Sequence, residues 1–136
     1  MPALDFTPLE DAIAQLDEGL QEADRSPESE LMRDGVIQRF EYTHELALKF
    51  IRRALETAFG EAVDPMPYND VLRTAAERGL IDDVEAWFDY RTARNKTSHI
   101  YDAQVAADVF RSARPFLDHA RFLLRRLHAL KDKAAA

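Results

Sequence analysis

The chain has 136 residues, of which 46% are hydrophobic and 32% are charged. This length suffices for one domain with a buried core, and the composition predicts a globular protein rather than a disordered one. There are no cysteines, which excludes disulfides, thiol catalysis and cysteine-ligated metal centres and suits a cytoplasmic protein.

Features of membrane and exported proteins are also missing from the sequence. No apolar run approaches the roughly 20 residues that a membrane-spanning helix needs. The stretch from Met1 to Asp5 lacks the basic start and apolar core of a signal peptide. We therefore expect a cytoplasmic protein that does not associate with membranes.

Charge is distributed unevenly along the chain, whose formal net charge is −7. Residues 1–85 hold 8 Lys and Arg against 20 Asp and Glu, whereas residues 86–136 hold 10 against 5. The basic second segment could hold a phosphate chain, and the acidic first segment is not expected to contribute to such binding. The alternative is that the two segments simply attract each other within the fold.

The first predicted helix is capped by Thr7, with Pro8 at its first position and Glu10 completing a capping box. It runs to about Ala23. Apolar residues recur along it at three- and four-residue steps and predict one buried stripe, which comprises Leu9, Ile13, Leu16 and Leu20.

The second predicted helix is long, from Pro27 to Phe59, with Gly60 as its end. Two adjacent apolar stripes indicate contact with more than one neighbouring helix. A kink is possible at Gly35. His44 lies on one stripe, and we interpret it as a core histidine with one hydrogen bond rather than a functional group.

A loop with two prolines separates this helix from a short third one, which spans about Asn69 to Arg78 and ends at Gly79. The fourth predicted helix starts at a capping box in residues 82–85. It should stop near Thr97 and Ser98, because their hydroxyls compete for backbone hydrogen bonds.

The last predicted helix is capped by Asp102 and carries apolar positions as far as Leu130. Pro115 should kink or split it, since proline lacks an N–H and clashes with the preceding turn. The alanine-rich tail after Lys133 is expected to be disordered, so that order extends over about residues 7–131. Without any strand signal, residues 1–136 predict one all-α domain, an antiparallel bundle of four to five helices.

Most catalytic and cofactor motifs are missing from the sequence. No His pair has the spacing of a helical metal site, and the four glycines fit no phosphate-binding loop. We therefore expect no metal and no cofactor. What remains is a polar cluster at the end of the fourth helix, which comprises Arg91, Arg94, Asn95, Lys96, His99 and Tyr101.

Arg94 and His99 are suited to cleaving a phosphodiester without a metal. A histidine can move protons at neutral pH, and a guanidinium can neutralise charge that grows on phosphorus. Asn95 could orient either group. On a continuous helix Arg94 and His99 would point about 140° apart, so they can meet only if the helix ends between them or if each meets its counterpart across a symmetric dimer. Alternatively, Arg94 makes a structural salt bridge to Asp89 or Asp102.

The pattern Arg94-Asn95-x-x-x-His99-x-Tyr101 resembles the signature of the HEPN superfamily. The segments 33–47 and 87–102 are similar to two blocks of the nucleotidyltransferase substrate-binding family, a HEPN branch encoded beside minimal nucleotidyltransferases. This resemblance extends from about Leu9 to Leu130 and implies a homodimeric helical bundle with a nucleotidyltransferase partner, often as toxin and antitoxin.

The resemblance also implies roles for the motif residues in cleaving RNA. Arg94 would stabilise the phosphorane, His99 would serve as acid or base and Asn95 would support the site, with the RNA 2′-hydroxyl as the attacking group. The partner would transfer AMP onto Tyr101 and silence the toxin. Two alternatives stay open: a non-catalytic subunit that presents a substrate to the nucleotidyltransferase, and a dimeric adaptor whose motif residues only hold the interface together.

Overall fold

The computed structural model of the chain describes residues 4–135. Over that range it contains five α-helices, one short 3-10 helix and no strand, as the sequence predicts. The helices are α1 (Thr7–Arg25), α2 (Glu30–Phe59), α3 (Tyr68–Glu77), α4 (Val84–Asn95) and α5 (Ala103–Ala135), and the 3-10 turn Thr97–His99 lies between α4 and α5. Met1–Ala3, part of the stretch judged not to be a signal peptide, and Ala136, the end of the tail, lie outside the described residues.

Two helix starts differ from the expected ones. Thr7 does not cap α1; its own backbone N–H instead donates to the carboxylate of Asp5 at 3.0 Å, and Phe6 occupies the cap position. The α2 helix begins three residues after Pro27, because the hydroxyl of Ser29 accepts the free N–H of Met32 at 3.1 Å. Side-chain oxygens near each start thus satisfy N–H groups that have no partner within the helix.

The ends predicted at Gly60, Gly79 and Asp102 are confirmed. The other ends are shifted: α1 continues to Arg25, the cap of α4 is Asp83 rather than the first residue of the predicted capping box, and α5 continues to Ala135, so the expected disorder after Lys133 is not found in the described residues. Gly60 and Gly79 adopt φ angles of 65° and 76° after α2 and α3, a conformation that glycine takes without strain. The carboxylate of Asp83 accepts the N–H of Ala86 at 3.0 Å, and Asp102 accepts the N–H of Gln104 at 2.9 Å. Each of these residues fixes where a helix of the bundle begins or ends.

The proline in α5 does not divide the helix, contrary to one expectation. Pro115 lies inside a single α-helix that continues to Ala135. Its neighbours Ala113 and Phe116 are both completely buried, so packing of this segment into the core offsets the hydrogen bond that proline removes. The α2 helix likewise continues through Gly35.

The core joins α1, α2 and α5, which all pack against one another, and the pair α3 and α4 closes over α2 and α5. Phe116 of α5 lies at its centre. Its ring makes edge-to-face contacts with Phe40, Tyr90 and Trp87, at centroid distances of 5.0, 5.1 and 5.5 Å. These contacts hold α4 against α2 and α5 and thereby position the end of α4. No helix within residues 4–135 is long and apolar enough to cross a membrane.

Candidate functional site

A groove with a volume of about 570 Å³ lies where α2 meets the start of α3 and the end of α4. We call it the α2–α4 groove. Its lining residues are His44, Glu45, Leu48, Lys49, Arg52, Arg53, Tyr68, Arg91, Arg94 and Asn95.

Helical spacing brings these residues together. Those on α2 recur at three- and four-residue steps, so they lie on one side of that helix, and Arg91 and Arg94 are one turn apart on α4. The groove is therefore built from one face of each helix. Arg94 and Asn95, two of the predicted catalytic residues, both line it.

The groove is strongly cationic although the chain is acidic overall. Five cationic side chains line it, against the single carboxylate of Glu45. Three of the five, namely Lys49, Arg52 and Arg53, come from the acidic residues 1–85. The negative net charge of this segment therefore does not describe the face of α2 that lines the groove, which is cationic.

His44 also lines the groove but is buried, as the sequence predicts. Its Nε2 atom is 3.1 Å from the hydroxyl of Tyr68, and the two rings stack with centroids 6.4 Å apart. Burial, then the positive charges of Arg94 and Arg91, lower the pKa of His44 to about 4. The imidazole is therefore neutral at pH 7 and acts as a hydrogen-bonded core residue.

Arg91 is held in a fixed position by two contacts. Its guanidinium lies 4.1 Å from the centre of the Tyr68 ring, and its Nη1 donates to Oδ1 of Asn69 at 3.1 Å. Burial raises the pKa of Tyr68, so its hydroxyl stays protonated at any physiological pH. Tyr68 thus contacts both His44 and Arg91 along one wall of the groove.

Arg94 makes an ion pair with Glu45 of α2, in which Nη2 donates to Oε1. Neither Asp89 nor Asp102 is its partner, so the salt bridge weighed from the sequence connects α4 to α2 instead. The backbone carbonyl of Arg94 accepts the hydroxyl of Thr97 at 2.9 Å. This contact, made by a buried threonine, accompanies the end of α4 at Asn95, and the predicted stop near Thr97 and Ser98 is confirmed.

His99 and Tyr101 lie beyond that helix end. His99 belongs to the 3-10 turn and is exposed, and Tyr101 is 87% exposed. Their rings meet edge to face with centroids 6.2 Å apart. Of the described residues, those that line the groove include Arg94 and Asn95 but not His99, so a single chain brings the motif together only in part.

Sequence reasoning missed the contribution of α2 to this site. The signal was present as Lys49-x-x-Arg52-Arg53, a spacing that places the three cations on one side of a helix. Nothing in the sequence showed that this side of α2 would face Arg91 and Arg94. Residues 4–135 contain no cluster of three side chains able to hold a metal ion, and the groove instead offers guanidinium, ammonium and amide groups.

The fold and the groove define a class of protein: an all-α bundle with a cationic groove at the end of its fourth helix. Comparison with known proteins identifies that class further. The family described as nucleotidyltransferase substrate binding protein like matches residues 4–129, and the chain belongs to this family. The resemblance found in the sequence is thereby confirmed.

Individual relatives agree with this assignment. A Haemophilus influenzae protein named probable ribonuclease HepT is 39% identical over 95 residues, which cover 68% of this chain and 65% of that relative. The aligned part is therefore slightly less than two thirds of the relative's length.

Two solved structures share the fold. One, from Haemophilus influenzae, is described as revealing the fold of a substrate binding domain of a nucleotidyltransferase; its TM-score is 0.83 at 32% identity, over 91% of this chain and 99% of that one. The other, from Thermus thermophilus, has a TM-score of 0.76 at 30% identity, over 88% of this chain and 98% of that one.

Proposed function

We propose that the chain is the HEPN subunit of a two-component, toxin–antitoxin-type system with a minimal nucleotidyltransferase, and that it cleaves RNA without a metal. The observation that carries the proposal is the placement of Arg94 and Asn95 in a groove with four further cations. The name of the Haemophilus influenzae relative, probable ribonuclease, supports the same activity.

The proposed reaction uses the RNA 2′-hydroxyl as nucleophile. Its oxygen attacks the adjacent phosphorus, the bond from phosphorus to the 5′-oxygen breaks, and the products are a 2′,3′-cyclic phosphate and a 5′-hydroxyl. His99 accepts the proton of the 2′-hydroxyl, and the departing 5′-oxygen takes a proton from water. Arg94 neutralises the phosphorane and Asn95 donates its amide to a phosphate oxygen.

We assign the complete site to a homodimer. One chain places Arg94 in the groove and leaves His99 exposed on the next turn. A symmetric dimer with the 3-10 turns at its interface would place His99 of each protomer beside Arg94 of the other and so form two equivalent sites. Before substrate binds, Arg94 is paired with Glu45, and the substrate phosphate would replace Glu45 as its partner.

Cleavage of RNA in the presence of a chelator tests the activity. His99→Ala and Arg94→Gln should each abolish it while circular dichroism and thermal unfolding remain those of the wild type. His128→Ala is the matched control, since that histidine pairs with Glu10 on α1, outside the groove. Equal cleavage by His99→Ala and wild type would refute the catalytic assignment.

Tyr101 is the proposed site at which the partner adds AMP. With 87% of its surface exposed it is accessible, and a nucleotide attached there would lie beside His99. The tyrosine oxygen would attack the α-phosphorus of ATP and release pyrophosphate. Incubation with the partner and ATP should add AMP mass to the wild type and none to Tyr101→Phe. Labelling of both proteins to the same extent would rule out this site.

A non-catalytic role is a second proposal, because one structural relative is described as a substrate binding domain of a nucleotidyltransferase. The chain would then bind the nucleotidyltransferase and present a substrate to it. Co-purification with the neighbouring gene product, combined with absence of RNA cleavage by the dimer alone, would favour this role. Cleavage that depends on His99 would exclude a purely non-catalytic subunit.

A further inference from the structure

We propose that Lys49, Arg52 and Arg53 of α2, together with Arg91, form a phosphate-binding row for the RNA nucleotides adjacent to the one held at Arg94. This inference rests on the proposed function, since it assigns single-stranded RNA as the occupant of the α2–α4 groove. It assigns to α2 the task of holding the strand, whereas the HEPN motif on α4 would cleave it.

The first argument is the absence of neutralising partners. Within residues 4–135, no carboxylate makes an ion pair with any member of the row. Outside the groove, arginines such as Arg73 and Arg78 have carboxylate partners at 2.9 and 2.6 Å, whereas others such as Arg125 have none among the described residues, so what distinguishes the groove is that four such cations lie together. In a chain with a net charge of −7, a group of unpaired cations on one groove repels itself, and a polyanion would relieve that repulsion.

The second argument is spacing. Lys49 and Arg52 lie about one helical turn apart on α2, and Arg91 and Arg94 lie about one turn apart on α4. A turn is about 5.4 Å long, which is comparable to the separation of successive phosphates along a nucleic acid strand. Two pairs of cations with this spacing, one on each helix, suit a chain of phosphates better than a single phosphate group.

The third argument is preorganisation. Arg91 is already fixed by the Tyr68 ring and by Asn69, so little side-chain freedom is lost when it binds a phosphate. Arg53 lies over Phe50, with its guanidinium carbon 5.8 Å from the ring centre. The row is also continuous with Arg94, because all five cations line the same groove.

The test measures RNA binding apart from cleavage. A fluorescent single-stranded RNA carrying 2′-O-methyl groups cannot be cut through its 2′-oxygens, so anisotropy reports binding alone. For each phosphate that a variant no longer binds, the slope of log affinity against log salt should become shallower by about 0.7. We expect Arg52→Gln and Arg53→Gln each to show this change and a severalfold weaker affinity.

Arg125→Gln is the matched control for Arg53→Gln. Arg125 is exposed and lies over Phe122 at 5.9 Å, nearly the same arrangement as Arg53 over Phe50, but it does not line the groove. Both variants lose one positive charge. The control should bind RNA with the wild-type salt slope, whereas a non-specific effect of net charge would weaken both variants equally and overturn the inference.

Cleavage assays separate this inference from the proposed function. On cleavable RNA, Arg52→Gln should raise KM by more than it lowers kcat. If cleavage depends on His99 but neither Arg52→Gln nor Arg53→Gln changes KM or RNA affinity, the phosphate row is refuted while the ribonuclease proposal is retained. If both variants bind RNA more weakly as expected but the wild type cuts no RNA, the phosphate row is supported and the catalytic proposal is refuted. Binding of inorganic triphosphate but not of RNA would overturn the row as an RNA site.

Discussion

Protonation of His44 should destabilise the protein at mildly acidic pH. The folded state holds this imidazole buried, 3% exposed, and its pKa is about 4 instead of the usual 6.5. Desolvation is the largest cause, and the charges of Arg94 and Arg91 add to it. Between pH 6.5 and 4, His44 therefore binds a proton in the unfolded chain but not in the folded chain.

The sign and size of the effect follow from this difference. Because the unfolded state binds more protons, stability falls as the pH falls through this window and is fully retained above pH 6.5. With a folded pKa of about 4, the loss relative to pH 7 is about 2 kcal/mol at pH 5 and about 3 kcal/mol at pH 4. A loss of that size is a large fraction of the stability of a domain.

Urea unfolding of wild type and His44→Gln from pH 7.5 to pH 4 isolates this contribution. Glutamine cannot titrate but can still bond to the hydroxyl of Tyr68, so carboxylate effects common to both proteins cancel in the difference. The difference in unfolding free energy should shift in favour of His44→Gln by about 2 kcal/mol between pH 7 and pH 5. His128→Gln, at a more exposed position paired with Glu10, is the control for the loss of a histidine as such. A pH-independent difference for His44→Gln would refute the reasoning.

Three further tests probe the fold by urea unfolding. Gly35→Ala in α2 should stabilise by about 0.5–1 kcal/mol, whereas Gly60→Ala should destabilise by about 1 kcal/mol; nothing lies within 4 Å of either added methyl, but only Gly60 has a positive φ. Equal effects would contradict this backbone argument. Phe116→Ala should cost about 3–5 kcal/mol through the cavity it leaves in the aromatic core, and a loss below about 1 kcal/mol would show that the core collapses around it. Asp83→Ala should cost about 1 kcal/mol through the lost cap of α4, and an unchanged midpoint would show that the cap does not matter.

The helices could be predicted from the sequence because their signals are local. Gly60 and Gly79 ended helices as expected, and Asp83 and Asp102 capped them, since each interaction involves residues within a turn of one another. One of the errors has a local cause too. The second helix was expected to start at Pro27, but Ser29 caps it through the N–H of Met32 and moves the start to Glu30.

The groove could be predicted only in part because it depends on how α2 faces α4. The motif identified Arg94 and Asn95, but the partner of Arg94 is Glu45, 49 residues earlier in the chain. Residues 1–85 are acidic on average, so counting charges along the chain did not reveal that Lys49, Arg52 and Arg53 share one face of α2. Packing of Phe40, Trp87 and Phe116 brings the two helices together, and no local signal reports such a long-range arrangement.

Because His99 does not line the groove that holds Arg94, the proposed dimer leads to a final prediction. If each site takes Arg94 from one protomer and His99 from the other, Arg94→Gln and His99→Ala should complement each other when mixed. A mixed dimer then has one site with both wild-type side chains and one site with neither. Random pairing of equal amounts makes about half of the dimers mixed, so activity should return to about a quarter of the wild-type rate. If mixed dimers form but cleave nothing, the two side chains do not act across the interface as single pairs, and the proposed arrangement of the dimer is wrong.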